Sequence, residues 1–127
     1  MTATATATKP KRIQRKRTKG YKLPARTLCV SRPSIWGNPY SLAGFGELSL
    51  PLFRNTLLGI WDGSLLDSRP DLLSRAYDLH KAWQRQFRHR HPLDVLRQTL
   101  PNYDFVACWC KESDDCHGDD LIELGTR

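Results

Sequence analysis

No apolar run in the 127 residues approaches the roughly 20 that a bilayer-spanning helix requires, which excludes a transmembrane helix. No secretory leader is expected either: the sequence opens on alternating threonine and alanine and passes directly into charge, with no apolar central segment. The expected location is therefore a reducing cytoplasm. Cysteine is scarce, at four residues, and three of the four fall between Cys108 and Cys116. In a reducing compartment, thiols gathered this closely act as metal ligands or reactive groups rather than as disulfides. Acidic residues are absent from the first 26 positions, where nine lysines and arginines stand. The remaining residues carry eleven basic side chains against thirteen acids, so the formal charge of +7 belongs to the N-terminal stretch and not to the body.

That distribution divides the chain into a basic arm, residues 1 to 22, and one domain over residues 23 to 127, a length suited to a single core. The Thr-Ala repeat is of low complexity and the basic run repels itself, so the arm is expected to be disordered. The positive charges from Lys9 to Arg26 suit contact with the phosphates of nucleic acid, weakly and without regard to sequence. A solubilising tail would have the same composition.

In the body, Arg26 to Val30 forms a short strand signal and Phe105 to Cys110 a second one. Residues 68 to 90 are the clearest helix. Leu72, Ala76, Leu79, Trp83 and Phe87 recur on one face, and Pro70 stands near its start. Pro92 opens a shorter helix over Leu93 to Leu100, and a last one covers Gly118 to Leu124. The histidines at 80, 89 and 91 stand in no ligand pattern. Strands and helices in this order indicate a small α/β (or α+β) domain, a few strands packed against two to four helices. Two strands do not make a stable sheet, so a third is expected between residues 41 and 66.

The chemistry is concentrated in two places. Cys108, Cys110, Cys116 and His117 together make a tetrahedral zinc set, three thiolates and an imidazole. Cys108 and Cys110 would share a strand face while Trp109 turns the other way, into the core. The spacing is unusual for zinc, with one residue between the first pair and none between Cys116 and His117; Cys29 could substitute for one of them. A metal-free alternative makes Cys116 a nucleophile at a helix start, or His117 a general acid or base oriented by Asp119 or Asp120. A third alternative leaves the cysteines as inert core residues.

The other place is the loop leaving the first strand, Ser31-Arg32-Pro33-Ser34-Ile35-Trp36-Gly37-Asn38-Pro39. Arg32 offers a planar fork for a phosphate and Ser34 a hydroxyl. Trp36 offers a stacking surface and Asn38 a polar edge. The alternative is a structured turn in which Trp36 is core and Asn38 caps the backbone; the functional reading is the favoured one. Loops at strand ends are where open α/β sheets place their sites.

The pairing of Arg32-Pro33-Ser34-Ile35-Trp36-Gly37-Asn38-Pro39 with Cys108-Trp109-Cys110 and Cys116-His117-Gly118-Asp119 resembles a family of small bacterial and bacteriophage domains of unknown function. The resemblance covers residues 26 to 124. It implies that Arg32, Trp36, Asn38, Cys108, Cys110, Cys116, His117 and Asp119 belong to one site, and it implies a bacterial or phage-encoded cytoplasmic protein. The leading expectation is a hydrolase or transferase acting on a nucleotide or nucleic acid. The alternatives are a non-catalytic, zinc-stapled nucleic-acid-binding module and a phage protein that binds a host factor.

Overall fold

The computed structural model of the protein describes residues 9–32, 34–111 and 113–127. Its centre is a three-stranded parallel sheet. Strand β3 (Phe105–Cys108) lies in the middle, flanked by β1 (Lys11–Gln14) and β2 (Thr27–Cys29). Lys11 pairs with Phe105 and Gln14 with Cys108 on one side, while Thr27 pairs with Phe105 and Cys29 with Ala107 on the other. The sequence explains the order. Val106, Ala107 and Cys108 are all buried, as a central strand covered on both faces requires. β1 carries the polar residues that an exposed edge tolerates, while β2 is more apolar and half-buried.

The sequence reading is corrected at two points here. Residues 11 to 14 lie in the stretch expected to be a disordered arm, yet they form β1, and the ladder continues past it through a 2.7 Å bond from the Arg15 amide to the Cys108 carbonyl. Residues 1 to 8 of the expected arm lie outside the described residues. The third strand is therefore N-terminal and not between residues 41 and 66. That region holds helices α1 (Leu42–Phe45) and α2 (Ser49–Leu57) with short 3-10 turns. α2 buries Leu52, Phe53, Thr56 and Leu57, two adjacent pairs one turn apart, and Pro51 sits in its first turn, where no intrahelical N–H is lost.

The long helix is present as a 3-10 turn, Pro70–Leu72, leading into α3 (Leu73–Arg85). Its buried face runs Leu72, Ala76, Trp83 and on to Phe87, with Leu79 half-buried. His80 joins that face: its Nδ1 lies 2.9 Å from the Thr56 hydroxyl, which also meets the Tyr40 hydroxyl at 2.7 Å. Burial lowers the pKa of His80. The chain leaves α3 through Arg88 and His89, both at positive φ, 49° and 73°. Helix α4 (Pro92–Thr99) then starts on a proline, capped by His91, whose Nδ1 accepts from the Leu93 amide.

The last helix, α5 (His117–Gly125), packs on β1, β3, α2 and α4. Arg54 of α2 ties it down through Asp120 at 2.9 Å and Glu123 at 2.8 Å. Trp36, Phe53, Trp83 and Phe87 meet ring to ring at the heart of the core. Among the described residues no helix is long and apolar enough to cross a membrane.

Candidate metal centre

All three parallel strands end at the same edge of the sheet, and the carboxyl ends of such strands are where open α/β folds place ligands. Cys108 is the last residue of β3. The chain turns out of the sheet there, so Cys110 comes back towards it, with the two sulfurs 3.8 Å apart. Cys116 arrives from the far side of the loop as the N-cap of α5, its Sγ accepting from the Gly118 amide at 3.4 Å. The sulfurs of Cys108, Cys110 and Cys116 lie within 4.8 Å of one another, close enough to hold one metal ion.

His117 stands against this cluster. Its Nε2 is 2.7 Å from the Val30 carbonyl, immediately past β2. A carbonyl only accepts, so Nε2 is the donor to Val30; in the neutral ring this puts the lone pair on Nδ1. Nδ1 lies 3.7 Å from the Cys116 sulfur and 4.0 Å from that of Cys108. The Phe53 ring meets the imidazole at right angles, 5.3 Å between centroids.

The thiols are not equivalent. Hydrogen bonding with Cys116 pulls the Cys108 thiol far below its ordinary range, against the effect of burial. Cys116 is pushed up, first by that same interaction and then by burial, and burial raises Cys110. Cys29, in β2 opposite Ala107, stands outside the cluster.

Arg12 of β1 secures the loop. Its side chain is only 7 % exposed. Nε donates to Asp119 at 2.8 Å, Nη1 to the Cys110 carbonyl at 3.3 Å, and Nη2 to the carbonyls of Lys111 and Asp114 at 3.0 and 2.9 Å. One guanidinium thus holds the ligand loop and the first turn of α5 together. Asp119, a candidate for orienting His117, is engaged by Arg12 instead.

The arginine-proline loop closes the site from the other side. The Ser34 amide donates to the Ser31 carbonyl and the Gly37 amide to the Ser34 carbonyl, while the Ser34 hydroxyl accepts from the Trp36 amide. Gly37 is required: a Cβ there would stand 2.9 Å from Arg32 Cγ and 3.1 Å from its Cα and backbone nitrogen. Gly37→Ala is expected to cost about 1–3 kcal/mol in denaturant unfolding, as overpacking does, and to displace Arg32.

Between the loops lies a cavity of about 320 Å³. Ser31, Arg32 and Asn38 line one side. Cys108, Trp109, Cys110, Asp115, Cys116 and His117 line the other, and Tyr40, Leu42 and Leu50 complete the wall. Sequence motifs some seventy residues apart therefore share one cavity. Besides Asp119, three expected site residues stand elsewhere or are otherwise occupied. Trp36 is 3 % exposed and packs on Trp83 and Phe87, so it is core and not a stacking surface. Ser34 is spent on its own turn. Asn38 borders the cavity, but its amide bonds Ser49 Oγ at 2.9 Å and the Tyr40 amide at 2.8 Å, which shapes the wall.

Trp109, expected in the core, is 36 % exposed, with the guanidinium of Arg15 4.2 Å and that of Arg17 4.3 Å from its ring centroid. Sequence reasoning missed Arg12 and Arg15, because a basic run gives no sign of which of its members fold back. Its sole hint of a strand was Ile13, an isolated β-branched residue.

The family model described as Domain of unknown function (DUF4326) matches residues 13–127, from within β1 to the C-terminus. No curated protein and no solved structure matches the chain.

Proposed function

Since the chain belongs to the family described as Domain of unknown function (DUF4326), whose description carries no activity, we propose from its geometry that it is a zinc-stapled module that binds a phosphate-bearing ligand, a nucleotide or nucleic acid, in the cavity beside the metal. The observation that carries the metal half is the orientation of His117. Zinc-bound histidines donate their second ring N–H to a carbonyl or carboxylate, and Nε2 does so to Val30 while Nδ1 faces the sulfurs. The sulfur spacing agrees. Zinc–sulfur bonds of about 2.3 Å set tetrahedral edges of about 3.8 Å, and Cys108 and Cys110 stand 3.8 Å apart.

Cys108, Cys110 and Cys116 are the mutually close group, and His117, outside that group but with Nδ1 4.0 and 3.7 Å from the sulfurs of Cys108 and Cys116, would complete the coordination shell. A catalytic zinc keeps one position open for water or substrate, so a closed set favours a structural ion. This ranks the binding module above a hydrolase or transferase. A reducing cytoplasm suits it, because the ligands must remain free thiols. The phosphate half rests on Arg32, an exposed guanidinium at the cavity rim with no acidic partner among the described residues. Leu42, Leu50 and Trp109 supply apolar wall for a base.

Equilibrium binding of nucleoside monophosphates to the zinc-loaded protein tests the reading. Arg32→Ala is expected to weaken binding about tenfold or more, the effect of losing a charge-assisted hydrogen-bonding pair, with zinc content unchanged. A protein that binds no nucleotide at millimolar concentration, or an Arg32→Ala variant that binds as well as the parent, would overturn it.

A further inference from the structure

Trp109 stands between two cysteines of the candidate metal cluster, yet its side chain faces outward. It borders two concavities. One is the cavity shared with Arg32; the other, about 380 Å³, is formed with Gln14, Arg15, Lys16 and Arg17. Arg15 and Arg17 lie over the indole, and Arg15 Nη1 also donates to Ser31 Oγ at 2.8 Å, which joins the two concavities. Neither arginine has an acidic partner among the described residues. Asp115 is the acid among the residues lining the first concavity.

We propose that the strip running from Arg17 across Trp109 and Arg15 to Arg32 is a binding track for single-stranded nucleic acid, longer than one nucleotide and indifferent to sequence. The inference rests on the nucleotide reading of the cavity and extends it. A single strand needs cations for its backbone and flat, π-bearing surfaces for its unpaired bases. The strip supplies both: an indole with the guanidinium groups of Arg15 and Arg17 over its ring, and positive charge with no acidic partner among the described residues. A base displaces one guanidinium from the indole face and stacks there, and the displaced guanidinium meets phosphate. A duplex keeps its base faces stacked inside and cannot use such a platform, and a mononucleotide fills only the cavity. The track also assigns a use to residues 15 to 17, whose place beside the site depends on β1 being in the sheet.

The test uses the full-length, zinc-loaded chain with a labelled oligothymidylate of about ten nucleotides, a duplex of the same length, and thymidine monophosphate. The oligonucleotide is expected to bind at least tenfold more tightly than either the duplex or the monophosphate, with affinity falling as salt rises. Trp109→Ala is expected to weaken oligonucleotide binding about five- to hundredfold, with Trp109→Phe recovering most of it. Arg17→Ala, remote from the cavity lining, is expected to weaken oligonucleotide binding several-fold and leave monophosphate binding as it was. Zinc content and unfolding midpoint confirm that each variant is folded. Monophosphate binding with no gain for the oligonucleotide overturns the track and leaves the cavity reading standing. Duplex bound as tightly as the single strand, or Arg17→Ala and Trp109→Ala both without effect, also overturns it. Failure of every ligand to bind sinks the cavity reading itself.

Discussion

If the cluster holds zinc as proposed, removing the ion is expected to be the largest single perturbation of the protein's stability. The three cysteines and His117 join the end of β3, the 110–115 loop and the start of α5, and through Val30 they reach the end of β2. An ion bound only by the folded chain adds about 4 kcal/mol when present at a thousand times its dissociation constant. For a domain of this size that is on the order of 15 °C in Tm. Chelation should lower the melting temperature by that amount, and re-addition of zinc should restore it. Cys108→Ser should lower it similarly in zinc and little further in chelator, because both changes remove the same contribution. Acidification should act in the same direction: the ligands must give up protons to bind, so the stabilisation is present at neutral pH and lost as the pH falls. Identical melting curves with and without chelator would contradict a stapling role.

Arg12→Ala is expected to be the most damaging substitution outside the ligands. Its guanidinium is buried and donates to Asp119 and to the carbonyls of Cys110, Lys111 and Asp114. Removing it leaves those acceptors without their charged donor and detaches the ligand loop from β1. A loss of about 2–4 kcal/mol is expected in denaturant unfolding. Zinc affinity should fall about 10–100-fold, as when groups that position metal ligands are removed. Arg12→Lys should recover only part, because an ammonium cannot reproduce the planar fork that reaches several acceptors at once. Lys16, exposed and without a hydrogen bond or ion pair among the described residues, is the control: Lys16→Ala should stay within about 0.5 kcal/mol. If Arg12→Ala behaved like the control, the N-terminal strand would not be part of the domain.

How far the fold could be read from the residues follows from how each element is stabilised. β3 and β2 were visible because a buried central strand and its neighbour are apolar and β-branched. α3 was visible because a helix packed along one side repeats its apolar residues every turn. β1 was not visible. An edge strand is stabilised by its ladder and tolerates charge, so Lys11, Arg12 and Gln14 look like the solvated run around them. The same applies to the site. The four cluster residues could be named from their chemical type, and Arg32 from its place at a strand end. Trp109 stands in the reverse of its expected surroundings, and of the two readings of Trp36 the buried one holds over the favoured stacking surface. Which indole is buried depends on where β3 stops, and strict alternation beyond Cys108 would have placed Trp109 inside. Burying Trp36 against Trp83 and Phe87 depends on tertiary contacts that no local pattern specifies.

The N-terminal strand also changes which truncations are informative. Deleting residues 1 to 8 leaves β1 intact, whereas deleting 1 to 22 removes it together with Arg12 and Arg15. Loss of nucleic-acid binding in the longer deletion would thus report on an altered fold as much as on a missing arm.

X-ray absorption at the zinc edge, on full-length protein purified without chelator, tests the metal centre most directly. One zinc per chain, with three sulfur neighbours at about 2.3 Å and one nitrogen at about 2.0 Å, is the expected result. A protein that carries no metal and takes up none when zinc is added, or one whose zinc is surrounded by oxygen and nitrogen alone, would contradict the assignment of Cys108, Cys110, Cys116 and His117 as its ligands.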